Sequence, residues 1–153
     1  MEFKKDHLSL ENRFVGATIY PYSVGYHTLL GLHYVSDEAK PAFIIHDAPE
    51  AYTKDIPRPL KNWLRTQGIT IIDELEDKIH KMILSKYKIE YNDEIKQEVK
   101  RVDNLLYLNE RIQLQNWDFK IKDKDKLDIK IIPIEPLYIE REFLNKFYLL
   151  VNV

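Results

Sequence analysis

The chain contains no cysteine. Disulfides, thiolate metal sites and a cysteine nucleophile are therefore excluded, and any metal ion has to be bound by imidazole and carboxylate. No apolar run approaches the roughly 20 residues of a membrane span. The opening, Met1-Glu2-Phe3-Lys4-Lys5-Asp6, has no signal-peptide apolar core. No membrane partner and a cytoplasmic location are the resulting expectations. A basic excess is also lacking. The formal net charge of -2 argues against a dedicated nucleic-acid binder, because phosphate-backbone contacts need surplus Lys and Arg. A local basic pocket for a small anion stays compatible with it. Nothing repeats, and no composition break divides the chain, so its 153 residues are expected to form one domain, 1–153, with a full hydrophobic core.

What is present is helical periodicity almost throughout, which predicts an all-α domain. Leu8 to Phe14 is expected to form a short opening helix, with Val15 to Tyr22 a loop around Gly16 and Pro21. Ser23 is a good N-cap for a helix that puts Val24, His27, Leu30 and Tyr34 on one face. Ser36-Asp37-Glu38 starts another, with Pro41 in its first turns. The helical pattern continues from Ala42 to Asp47 until Pro49 perturbs it. Asp55 to Pro59 reads as a turn, and Leu60 to Arg65 as a short helix ending before Gly68.

A long amphipathic helix follows, its stripe made of Ile72, Leu75, Ile79, Met82 and Ile83. Asn92 lies in the turn that caps the next, from about Glu94 to Gln115, with Val99, Val102, Leu105, Leu106 and Leu108 apolar. Lys120 to Lys130 alternates in charge and predicts a solvated loop. Ile131 to Ile134 can be extended, and Pro136 can open a final helix through Phe143, Phe147 and Leu150.

The densest chemistry lies in His46-Asp47-Ala48-Pro49-Glu50-Ala51-Tyr52, closed by Asp55-Ile56-Pro57. A hard or borderline divalent ion suits nitrogen and oxygen donors of this kind. Adjacent residues on a regular helix point about 100° apart, so His46 and Asp47 can share one ion if the helix ends or distorts there. His27 lies on the preceding helix, and Asp103 sits mid-helix in Arg101-Val102-Asp103-Asn104-Leu105. These four can complete one shell. Glu50, three residues beyond Asp47, falls on the same face of a helical turn and can move a proton. Each residue alone also has an ordinary reading: a core histidine, a surface carboxylate, or a turn-forming Asp55 before Ile-Pro. His7, His33 and His80 have no matching partners.

The surrounding words resemble a known family. Tyr22-Ser23-Val24-Gly25-Tyr26-His27, the His46 to Tyr52 run, and Asp55-Ile56-Pro57-Arg58-Pro59-Leu60-Lys61 resemble the HD-domain phosphohydrolases. The small bacterial 5′-deoxynucleotidases and phage dATP triphosphohydrolases are the nearest in pattern. Val99-Lys100-Arg101-Val102-Asp103, followed by Leu106 and Glu110, resembles the helix carrying their last metal ligand. The resemblance runs from about Asn12 onward.

It implies that His27, His46, Asp47 and Asp103 hold a divalent ion (Co, Mn, Zn, Fe or Mg). It also implies that Glu50 is catalytic, with Asp55 a second acid. Arg13-Phe14 resembles the family's arginine-aromatic pair, in which arginine contacts phosphate and the ring packs by the sugar. Phe14 stands where the nucleotidases commonly have tryptophan. Lys61 and Lys100 match basic positions that meet phosphates, and the loops at Val15 to Ile19 and Ile56 to Pro59 are expected to line the base pocket. The implied partner is a small deoxynucleotide, in a homo-oligomer acting in the cytoplasm, or in a host cytoplasm if phage-borne. Two cleavages remain open, of a dNMP or of a dNTP, and so does a non-catalytic metal-containing module.

Overall fold

The computed structural model describes residues 4–116 and 120–151. Met1 to Phe3, part of the opening judged above for a signal peptide, lie outside them. The fold is all-α. Its α-helices are α1 (Val24–Gly31), α2 (Lys40–Phe43), α3 (Glu50–Thr53), α4 (Arg58–Thr66), α5 (Ile71–Tyr87), α6 (Asp93–Leu114) and α7 (Pro136–Val151). Short 3-10 turns at Lys5–Ser9, Arg13–Gly16 and Asp123–Asp125 complete the order. No strand occurs among the described residues; one isolated bridge joins Asn12 to Ser23. No described helix is long and apolar enough to cross a membrane.

Local chemistry explains the helix starts. Ser23 caps α1 by accepting the Tyr26 amide, and Asn92 caps α6 by accepting that of Ile95. Pro41 and Pro59 occupy first-turn positions of α2 and α4, where a missing N–H costs nothing. α4 stops where Gly68 takes φ +71, a conformation that a side chain disfavours.

The core forms where α1, α2, α6 and α7 pack together. Its largest members include Phe43, Phe143, Phe147, Ile44, Ile45 and Leu106, each 1% exposed or less. Burying such a side chain contributes roughly 1.5–3 kcal/mol. The approach of α1 to its neighbours depends on Gly31. A Cβ built there would lie 2.2 Å from the Phe43 ring and 2.8 Å from Leu106.

Several expectations need correction. Leu8 to Phe14 is not one helix. The backbone around Asn12 pairs with that around Ser23, through Arg13 N to Tyr22 O and Val24 N to Glu11 O, and this extended pairing interrupts the helix. Tyr34 lies beyond the end of α1. The Ala42 to Asp47 helix ends at Phe43. From Ile45 to Ala48 the amides of Ile45, His46 and Ala48 reach back only three residues, a tighter winding than α.

On α5 the buried positions are Ile79, Ile83 and Leu84, whereas Leu75 and Met82 are about half exposed. Leu105 and Leu108 are only partly buried, and Glu110 is a core position. Ile131 to Ile134 forms no strand. The Ile131 backbone bonds to side chains instead, accepting from Tyr20 and donating to Gln113.

Candidate metal centre

Three stretches converge beside the core. α1 supplies His27. The tight winding after α2 supplies His46 and Asp47. The middle of α6 supplies Asp103. His27, His46 and Asp103 each offer a ligand atom, and those atoms lie within 4.8 Å of one another. The two imidazole Nε2 atoms are 3.3 Å apart. Asp103 Oδ1 is 3.4 Å from His27 Nε2. Asp47 Oδ2 lies 3.2 Å from His46 Nε2 and 3.7 Å from His27 Nε2. Successive residues can share the centre because α winding has already ended at Phe43.

The far side of each imidazole is tied down. His46 Nδ1–H donates to the Phe43 carbonyl at 2.6 Å. His27 Nδ1 meets Glu110 Oε1 at 2.5 Å. A histidine that donates from Nδ1 presents a lone pair at Nε2, which is how metal-binding imidazoles are oriented. The donor set is two nitrogens and carboxylate oxygens without sulfur, which fits a hard or borderline divalent cation.

The electrostatics favour positive charge at the centre. Burial and the Arg13 charge push the His27 pKa down, but Glu110 and the hydrogen bonds to Asp103 and Glu110 outweigh them and raise it to about 9. Burial would raise Asp47, yet His46, His27 and Arg13 hold it far below the ordinary carboxylate range. Asp103 is lowered against burial, mainly by its hydrogen bond to His27.

Glu50 behaves in the opposite way. It opens α3, next to the centre. Its Oε2 is buried and makes no hydrogen bond. Burial, then the charges of Asp47 and Asp55, raise its pKa well above the ordinary value, with Arg13 and Lys61 opposing.

A cavity of about 440 Å³ opens over the centre, and its lining includes Arg13, Phe14, Asp47, Glu50, Asp55 and Asp103. Pro59 and Lys61 line it too, as do Arg58, Arg65, Tyr107 and Arg111. Lys61 donates to both oxygens of Glu76 at 2.7–2.8 Å. Lys100 is exposed on α6 and is not among the lining residues. His27 and His46 do not line the cavity either; Asp47 and Asp103, which do, connect the two imidazoles to it.

Arg13 is neither a solvated helix end nor a loose fork. It is 7% exposed, with Nε and Nη2 on Glu110 Oε2 and Nη1 on Asp47 Oδ2, all at 3.2 Å. Nε and Nη1 are engaged by hydrogen bonds and Nη2 by an ion-pair contact, leaving two of the five N–H groups that can face the cavity. Asp55 Oδ2 accepts the Phe14 amide at 2.6 Å, so part of this carboxylate holds the backbone. Phe14 and Val15 both have left-handed φ, 57° and 54°. The Phe14 ring lies 5.9 Å from that of Tyr107.

Sequence reasoning did not single out the roles of Glu110, Tyr22 and Tyr107. The signal for Glu110 was available. It follows Leu106 by four residues and precedes Leu114 by four, so a charged residue stands in an apolar helical stripe. It also stands seven residues, two turns, beyond Asp103.

No family model matches the chain. It is similar to an uncharacterized protein, YfdR, of Escherichia coli (strain K12), at 39% identity over 82 residues. The match covers 52% of this chain and 43% of that relative, so the chain spans less than half the length of the relative it matches.

Proposed function

We propose that the chain is a divalent-metal-dependent phosphohydrolase that cleaves deoxyribonucleotides at the α-phosphorus. One observation carries this reading. Two imidazole Nε2 atoms 3.3 Å apart lie beside Asp47 and Asp103, and these two carboxylates line a cavity together with a buried, unpartnered one, Glu50 Oε2. His27, His46, Asp47 and Asp103 would hold the ion. When bound, such an ion lowers the pKa of water and acts as a Lewis acid towards a phosphoryl oxygen.

The chain's own groups supply the rest. Burial and its acidic neighbours favour the protonated form of Glu50, which in that form can pass a proton to the sugar oxygen as the bond to phosphorus breaks. Acid-base help of this kind contributes about 10²–10⁴-fold. Arg13, fixed at its back by Glu110, can turn its two remaining N–H groups to phosphate oxygens. Phe14, held by Asp55, can flank the sugar. Five cationic side chains and four carboxylates line the cavity. Among the cations Arg58, Lys61 and Arg65 all come from α4, a wall that suits the outer phosphates of a triphosphate.

The deoxyribose preference rests on the likeness of Arg13-Phe14 to the nucleotidase pair. The test is an assay of the purified chain with Co²⁺, Mn²⁺, Mg²⁺ or Zn²⁺ against dNMPs and dNTPs, with products separated by chromatography. Deoxynucleoside with phosphate indicates the monoester reaction, and deoxynucleoside with tripolyphosphate the triphosphate one. A protein that binds metal and turns over neither sinks the proposal and leaves the non-catalytic module standing.

A further inference from the structure

Glu110 is fully buried on α6 and does not line the cavity. Its two oxygens receive four donors from three positions. Oε2 takes Arg13 Nε and Nη2, both at 3.2 Å. Oε1 takes the Tyr22 hydroxyl at 2.7 Å and His27 Nδ1 at 2.5 Å. An ionised carboxylate has acceptor sites for all four and no hydrogen of its own to misplace. Arg13, His27 and Tyr22 together hold it ionised, well below where burial alone would put it.

We infer that Glu110 is a positioning residue that sets two working groups at once: it turns His27 Nε2 towards the metal centre, and it fixes the Arg13 guanidinium so that its remaining donors face the cavity. The inference rests on the metal reading above. The logic is one of hydrogen count. Each donor anchored at the back of the centre fixes what its other end presents at the front. His27 donating from Nδ1 leaves a lone pair at Nε2. Arg13 anchored through Nε and one Nη2 hydrogen cannot rotate its fork without breaking an ion pair in a buried place. Tyr22 adds a donor to Oε1 and touches neither the cavity nor the ligand atoms.

The isosteric amide separates this from simple packing. Glu110→Gln keeps shape and volume but has one acceptor oxygen and one NH₂. The oxygen goes to the permanently charged Arg13, so the NH₂ faces His27 Nδ1. His27 must then accept at Nδ1 and carry its proton on Nε2, where it blocks the metal. The opposite orientation sets NH₂ against guanidinium, and the Arg13 anchor fails instead.

The experiment compares the chelator-stripped parent, Glu110→Gln and Tyr22→Phe. Mn²⁺ affinity is measured by calorimetry, and the His27 tautomer by long-range ¹H–¹⁵N spectra over a pH series, read where the ring is neutral. Glu110→Gln is expected to weaken Mn²⁺ by about 10–100-fold, the usual loss when such a partner is changed, and to move the His27 proton to Nε2. Tyr22→Phe, which leaves the carboxylate in place, is expected to stay within about threefold of the parent. If the amide variant does not fold, the parent spectrum still decides: a His27 proton on Nε2 overturns the assignment. Parent and Glu110→Gln binding Mn²⁺ within about twofold, with Nδ1–H in both, overturns it alone. A parent that binds no Mn²⁺ overturns both this assignment and the metal reading beneath it.

Discussion

The floor and the outer wall of the cavity are built on opposite principles. At and behind the floor, Arg13 and Asp47 join the fully buried Tyr22, His27 and Glu110 in one unbroken set of ion pairs and hydrogen bonds. The wall is α4, a helix with no buried residue. Its cations pair locally or across the cavity: Lys61 with Glu76, Arg65 with Asp73 and Asn62, and Arg58 with Asp103 and Asn104. Buried charges need every partner, because a stranded one bears the full desolvation penalty. Charges at a wet rim lose little when a partner goes. The floor is therefore where geometry is fixed, and the wall is where side chains can change at small cost to the fold.

The sharpest way to break this contrast is to delete one cation from each region. Arg13→Ala strands Glu110 and Asp47 and is expected to lower unfolding free energy by about 3–5 kcal/mol. Arg65→Ala, whose side chain is 48% exposed, is expected to cost at most about 1 kcal/mol. Urea melts of both at one pH decide the matter, and similar losses would mean that the floor is not interdependent.

A second test uses pH at the boundary between the regions. The Glu50 pKa is raised in the folded chain above its ordinary 4.5. The folded state then binds more protons than the unfolded one, so this group's contribution to stability falls as pH rises from about 4.5 towards the folded value. Glu50→Gln lacks that loss. In metal-free protein its stability relative to the parent should climb by up to about 1.4 kcal/mol per pH unit across that window. Thermal melts at several pH values that show a constant difference would contradict it.

The smallest effect concerns the strained turn that joins floor to mouth. Val15 is β-branched, left-handed and 66% exposed. The left-handed region costs such a residue about 1–2 kcal/mol, partly balanced by the entropy glycine loses on folding. Val15→Gly is expected to stabilise by about 0.5–1 kcal/mol, seen as a raised Tm. A lowered Tm would show that the valine side chain does more than its exposure suggests.

Periodicity and capping residues foretold the helices that have an apolar face and a clear start: α1 after Ser23, α6 after Asn92, and α7 from Pro136. They failed where a long-range pairing overrides local preference. The Asn12–Ser23 bridge is invisible in the pattern of Leu8 to Phe14. They also failed in α5, where Leu75 and Met82 have the spacing of a core stripe but face outward, because the helix rests on its C-terminal half. The structure brings the four ligand candidates to one place. Lys100 shows the limit of motif matching, since it stands one turn from Asp103 yet reaches solvent. Glu110 shows the reverse: its identity was plain, but the donors it gathers are 83 to 97 residues away along the chain.

Gly31 gives the ligand shell its margin of error. The Phe43 ring rests against its bare Cα hydrogens, and the carbonyl of that same Phe43 steers His46. A methyl group at position 31, placed wholly inside the helical core, would displace the residue that aims one of the imidazoles. Tolerance at the candidate centre is thus governed from behind, by the absence of a single carbon atom.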